Sequence, residues 1–129
     1  MRYILPMQTS PILVAIVDDD DAVRRALRRL VISLSYRPIG FASGEDFLAS
    51  LLEATPNCVL MDQQMPNLNG LDVLRRMRSE GQHVPVIIVT GFDQPGLRQE
   101  CLDAGAADYL VKPLEASAVS AAIQLAMAA

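Results

Sequence analysis

A chain of 129 residues with a net charge of −4 has the size of one domain, and its acidity excludes a general nucleic-acid-binding surface. A hydrophobic content of 51% supplies a core and excludes a disordered chain. The longest apolar runs, ILVAIV and PVIIV, fall far short of the ~20 residues that span a bilayer.

The first ten residues, MRYILPMQTS, carry one arginine and a short apolar patch interrupted by Pro6. They lack the long apolar stretch and small-residue cleavage site of a signal peptide, so residues 1–10 are expected to form a loose arm before a domain over 11–129. ILVAIV (12–17) then predicts a first strand: short, continuous and rich in branched residues, as in a strand buried on both faces. It runs straight into four aspartates, 18 to 21. Carboxylates in contact repel by roughly 1 kcal/mol per pair in water and by more where the dielectric is lower, so a chain needing only solubility gains by spreading them. The first helix follows, with Asp21 expected as its N-cap. Val23, Ala26, Leu27, Leu30, Val31 and Leu34 form one stripe, and Arg24, Arg25, Arg28 and Arg29 a solvated opposite face.

RPIGF (37–41) predicts the second strand, and a helix over about 45–53 follows ASG. CVLM (58–61) is the third strand, and an Asn69-Gly70 turn leads to a helix with Leu71, Leu74 and Met77 on one side and solvated Arg75, Arg76 and Arg78 on the other. VPVIIV (84–89) is the fourth strand. The helix after Pro95 stops at Gly105, a C-terminal cap residue. DYLV (108–111) is the fifth strand, and Val119, Ala122, Ile123 and Ala126 mark the last helix. Strands alternating with helices predict an α/β, doubly wound (βα)5 domain: a parallel sheet with right-handed crossovers and helices on both faces. Cys58 and Cys101 lie in separate apolar segments without CxxC spacing and read as core fillers in a reducing cytoplasm.

In such a sheet, ligands collect beyond the carboxyl ends of the strands. There the chain places Asp18 and Asp19 after the first strand, Asp62 after the third, Thr90 after the fourth and Lys112 after the fifth. Lys112 is the only lysine, beside ten arginines. Each residue alone has a plainer reading. Acids at a helix N-terminus are favourable by about 0.3–1 kcal/mol, and Asp20 and Asp21 fit that role. Thr90 alone is a strand-end hydroxyl, and Lys112 alone a solvated cation. Their convergence on one edge favours a site in which hard carboxylate oxygens surround Mg²⁺ and Lys112 faces an acid or a phosphate oxygen. His83 has no partner at metal spacing and is assigned to the surface, and no G-x-x-x-x-G-K-[ST], H-E-x-x-H or G-x-S-x-G occurs.

IVDDDDAVRRAL, VLMDQQMPNLNGLDVL, VIIVTGF and GAADYLVKPL, in this order and spacing, resemble the receiver domain of two-component response regulators from about residue 12 to 126. FASGEDFL resembles most the FixJ-type subgroup, whose members usually carry a helix-turn-helix output domain. The resemblance implies a CheY-like, flavodoxin-like sheet of order 2-1-3-4-5, with Asp62 as phosphoacceptor. Mg²⁺, or Mn²⁺ in its place, would be held by Asp18, Asp19, Asp62 and the backbone carbonyl of Gln64. Thr90 would hydrogen-bond the phosphoryl group and Lys112 would pair with it. The bond before Pro113 would be cis, and Tyr109 would be the switch aromatic that turns inward when Thr90 moves. Gln64 and Phe92 fall where side chains tune the family's dephosphorylation rate.

The implied partners are a histidine kinase or phosphotransfer protein and, through the surface of the fourth helix, fifth strand and fifth helix, an output domain, a target or a second copy of the chain. The implied setting is cytoplasmic and bacterial, without a membrane. DNA would be reached only through an output domain, which the chain, ending in LAMAA, does not include. Such a domain is not an enzyme in the ordinary sense, but an acceptor that assists its own phosphotransfer and dephosphorylation. The chief alternative is a pseudo-receiver, an interaction module that never takes phosphate; the complete set of Asp18, Asp19, Asp62, Thr90 and Lys112 argues against it. An aspartyl-phosphate phosphatase would want a second carboxylate where Gln64 stands. A flavin-binding domain would not place four aspartates where a phosphate must bind.

Overall fold

In the computed structural model, which describes residues 11–128, strands and helices alternate from β1 (Leu13–Val17) through α1 (Asp21–Ser33), β2 (Arg37–Phe41), α2 (Gly44–Ser50) and β3 (Cys58–Asp62). The second half continues with α3 (Gly70–Ser79), β4 (Val86–Thr90), α4 (Leu97–Asp103), β5 (Asp108–Val111) and α5 (Ala116–Ala128). The arm expected over residues 1–10 lies outside the described residues. All strand pairs are parallel in the order β2-β1-β3-β4-β5, the flavodoxin-like arrangement. Val17 pairs with Met61, Asp62 with Val89 and Thr90 with Val111, so the strands finish almost level. That register delivers Asp18 and Lys112, just past β1 and β5, and Asp62 and Thr90, which are the last residues of β3 and β4 rather than the first beyond them, to one edge.

Strand alternation divides the core into two layers. Ala15, Val17, Val59, Met61 and Ile88 face α2, α3 and α4, where Phe47, Leu74, Met77 and Cys101 cover them. Val14, Ile16, Leu60, Ile87 and Val89 face α1 and α5, where Leu27, Val31, Val119 and Ile123 close the other side. Each fully buried Leu, Ile, Val or Phe contributes about 1.5–3 kcal/mol, so the central strands are the firm part of the frame. Cys58 and Cys101 are free and buried, as core fillers. No helix among the described residues is long and apolar enough to cross a membrane.

Several local expectations need correction. The central strands are buried on both faces, but Arg37 and Ile39 of β2 and Val111 of β5 are exposed, because an edge strand has a neighbour on one side only. The N-cap of α1 is Asp20, not Asp21: its extended backbone lets its carboxylate accept from the amides of Ala22 and Val23. Ala26 is exposed rather than part of the α1 core stripe. Asn69-Gly70 is no turn. Asn69 caps α3 in a reciprocal box with Asp72, and Gly70 is the first helical residue. A Cβ there would lie 2.6 Å from the Asp62 carbonyl oxygen, so the close approach of α3 to the end of β3 demands glycine.

Candidate functional site

Asp18 and Asp62 sit at the ends of β1 and β3 with 1% and 5% of their surface exposed. Asp18 is held on three sides: its amide donates to the Phe41 carbonyl, its Oδ1 accepts from the Asp20 amide, and its carbonyl accepts from Arg24 Nη1 at 2.7 Å. Asp19 is exposed, yet Asp18, Asp19 and Asp62 each bring a carboxylate oxygen within 4.8 Å of the others. Lys112 reaches in from the end of β5. Its Nζ lies 3.0 Å from Asp62 Oδ1 and 3.4 Å from Asp18 Oδ2, and the Lys112–Pro113 bond is cis.

Burial raises the pKa of the Asp62 carboxyl from 3.8 to about 6; the hydrogen bond from Lys112 opposes this, and the charges of Asp18 and Asp19 add to it. Burial also disfavours the Lys112 ammonium, but its contacts with Asp62 and Asp18 outweigh that and hold its pKa above the ordinary value. One ammonium is therefore set against a cluster of three carboxylates, and the ionised form is disfavoured at Asp62. The donors are hard oxygens without nitrogen or sulfur, which fits Mg²⁺ or Mn²⁺ and not a soft metal.

Thr90 is fully buried at the end of β4. Its hydroxyl donates to Gln64 Oε1 at 2.8 Å and accepts from the Phe92 amide at 3.0 Å; the Gly91 amide also donates to Gln64 Oε1, at 3.3 Å. Gly91 lies against the Lys112 stem. Tyr109 points inward, 3% exposed, with its hydroxyl donating to Asp93 Oδ1 at 2.7 Å and the Arg98 guanidinium 5.9 Å from its ring centre. Burial and the Asp93 contact push the Tyr109 phenol up. All the residues singled out from the strand ends thus meet at one edge, with Tyr109 one layer behind; exposed His83 stays outside.

Three contributors carry no motif. Gln63 is buried, and its Oε1 accepts from the Leu71 amide at 2.9 Å while its carbonyl accepts from Gly70, closing the loop between β3 and α3. Asp93 anchors Tyr109. Arg24 leaves its expected solvated face because Gly40 makes room for its stem and the Asp18 carbonyl needs a donor. Arg78 likewise is no free surface charge: it bridges the carbonyls of Gln82 and Gly105. Only the missing Cβ at position 40 hinted at the first of these, and only Gly105 at the second.

A carboxylate cluster with one ammonium and one buried hydroxyl lies at the carboxyl edge of a five-stranded doubly wound sheet, where such folds collect ligands, and its oxygen donors suit a hard cation. The chain belongs to the family described as the response regulator receiver domain, which matches residues 14–124. It is 40% identical over 103 residues to Response regulator MprA of Mycolicibacterium vanbaalenii, covering 80% of this chain and 45% of that protein. It is 34% identical over 114 residues to Transcriptional regulatory protein FixJ of Azorhizobium caulinodans, covering 88% and 54% respectively. The chain thus spans about half the length of these relatives. Among solved structures, the crystal structure of FixJ-N superposes with a TM-score of 0.85 at 30% identity, over 95% of this chain and 96% of that one.

Proposed function

We propose that this receiver domain is a phosphorylation switch with Asp62 as acceptor. An Asp62 carboxylate oxygen forms a bond to phosphorus while the bond from phosphorus to the donor breaks, the electron pair leaving with a histidine nitrogen or with the acetate oxygen of acetyl phosphate. With its pKa at about 6, Asp62 is largely ionised near neutral pH and available as nucleophile. Mg²⁺ held by Asp18, Asp19, Asp62 and the Gln64 carbonyl would supply neutralising charge for the transferring group. Lys112 turns its ammonium from the carboxylates toward a phosphoryl oxygen, and Thr90 and Gly91 offer a hydroxyl and an amide on the adjoining side. The observation carrying this reading is the Lys112 ammonium within 3.4 Å of two buried carboxylates in a three-carboxylate cluster. Salt bridging alone would set one positive charge, shared by Asp18 and Asp62, against three carboxylates and leave Asp19 without a cation.

The donor is a histidine kinase or phosphotransfer protein. An apolar groove of about 360 Å³ between α1 (Val23, Ala26, Leu27, Leu30) and Pro113-Leu114 ends at Lys112 and gives such a partner a footing beside Asp62. The phosphoryl group carries close to two negative charges in place of the one on the Asp62 carboxylate, a net gain of about one, and brings new acceptor oxygens. The loop after β4, tied to Tyr109 through Asp93, relays the change to the surface of α4, β5 and α5, where Val111 and Leu125 are exposed. That surface would address an output domain, a target or a second copy. The likeness to FixJ, a transcriptional regulatory protein, supports a transcriptional output.

Intact-protein mass after incubation with acetyl phosphate, with and without Mg²⁺, tests the reading. A gain of one phosphoryl group that requires Mg²⁺ is expected. No gain from several small donors in folded protein would favour the pseudo-receiver.

A further inference from the structure

The donors best placed to receive a phosphoryl oxygen already have an acceptor within the chain. Gln64 Oε1 takes the Thr90 hydroxyl at 2.8 Å and the Gly91 amide at 3.3 Å, bridging the loop after β3 to the loop after β4. Both donors border the acceptor: Asp62 pairs with Val89, the residue before Thr90, and Gly91 packs against the lysine that bonds Asp62. The Thr90 hydroxyl is fully buried, so water does not readily replace Gln64 there. Gln64 itself is exposed and free to swing away.

We propose that the Gln64 carboxamide is an internal competitor for the phosphoryl group. Its oxygen holds the Thr90 hydroxyl and the Gly91 amide in the resting domain, and phosphorylation proceeds by exchange of those two hydrogen bonds. This rests on the acceptor role proposed for Asp62. It concerns how readily the phosphorylated arrangement forms, independently of how fast the phosphate is later hydrolysed. The exchange also has a mechanical consequence. Thr90 Oγ1 accepts from the Phe92 amide, and Asp93 follows directly with the Tyr109 hydroxyl attached. Releasing Gln64 therefore unties the loop after β3 from the loop that carries the Tyr109 anchor.

Beryllofluoride isolates the effect, because it mimics the phosphoryl group on a carboxylate and is not hydrolysed. Wild type, Gln64→Ala, Thr90→Val and the double variant are titrated with fluoride at fixed beryllium and Mg²⁺, following the Gly91 amide resonance. Removing the competitor costs the resting state about one net hydrogen bond, so Gln64→Ala is expected to bind about two- to tenfold more tightly than wild type. In the Thr90→Val background the same change is expected to have a smaller effect, since the contested hydroxyl is gone and only the longer bond from the Gly91 amide remains. Equal or weaker binding by Gln64→Ala overturns the proposal, as does an equal gain in both backgrounds. A wild-type domain that takes up neither beryllofluoride nor phosphate from acetyl phosphate overturns the acceptor role itself, and the competitor with it. Normal wild-type uptake with an unresponsive Gln64→Ala overturns the competitor alone.

Discussion

Replacing Asp62 with asparagine is expected to make the metal-free domain more stable while abolishing its modification. The folded protein holds the Asp62 carboxyl at about 6 against an ordinary 3.8, so the ionised group is disfavoured by about two pH units. At ~1.4 kcal/mol per unit this amounts to about 3 kcal/mol. Asp62 borders solvent through Asp19 and Lys112, and relaxation of the variant lowers the gain, leaving about 1–3 kcal/mol. In a domain of this size each kcal/mol moves the unfolding midpoint by about 3–6 °C. The folded pKa lies above the unfolded one, so the stability contributed by Asp62 is fully present below pH 3.8 and is lost as pH rises through about 6. The gap between Asp62→Asn and wild type therefore opens across that window. Thermal unfolding of both proteins in EDTA at pH 4.5 and 7.5 reads it directly. The variant should melt several degrees higher at pH 7.5 and much closer to wild type at pH 4.5, and added Mg²⁺ should raise wild type far more than the variant. A less stable variant at pH 7.5 in EDTA, or a gap independent of pH, would refute the reasoning.

Lys112→Met leaves Asp18 and Asp62 facing each other without their shared cation. The metal-free domain should lose about 1–3 kcal/mol in urea unfolding, and its initial rate of labelling by acetyl phosphate should fall at least about tenfold. Gly70→Ala puts a methyl group 2.6 Å from the Asp62 carbonyl oxygen. Alanine is the better helix former, yet a loss of about 1–3 kcal/mol is expected in the same assay because α3 or the end of β3 must move. Gln63→Met keeps the volume but removes the acceptor of the Leu71 amide, so about 1–3 kcal/mol should be lost. An unchanged urea midpoint would show that water or another group satisfies that amide.

The alternation of branched apolar runs with helical stripes pointed to a parallel sheet with helices on both faces, because strands covered on both faces read as continuous apolar runs, whereas the strand order came from the family resemblance. The site was legible for the same reason. Asp18, Asp62, Thr90 and Lys112 each interrupt such a run at its carboxyl end, and parallel topology brings those ends together. What stayed hidden depends on contacts between loops. Nothing about a glutamine two residues past Asp62 reveals that its amide oxygen meets Thr90, nor that the neighbouring Gln63 turns inward to the start of α3. The cap of α1 was misplaced by one residue because Asp18 to Asp21 all have capping chemistry, and only backbone angles choose among them. Arg24 and Arg78 looked like surface charge because helical periodicity sees one helix at a time, whereas the Asp18 and Gly105 carbonyls they reach lie just past β1 and beyond α4.

The most direct test is chemical location of the phosphoryl group. Wild-type protein is treated with acetyl phosphate and Mg²⁺, reduced with sodium borohydride, which converts an aspartyl phosphate to homoserine, and digested for tandem mass spectrometry. Homoserine is expected at position 62 alone, and only in the sample that received both reagents. Homoserine at Asp18 or Asp19, or an unmodified position 62 in protein shown to be folded and to bind Mg²⁺, would contradict the assignment of Asp62 as the acceptor.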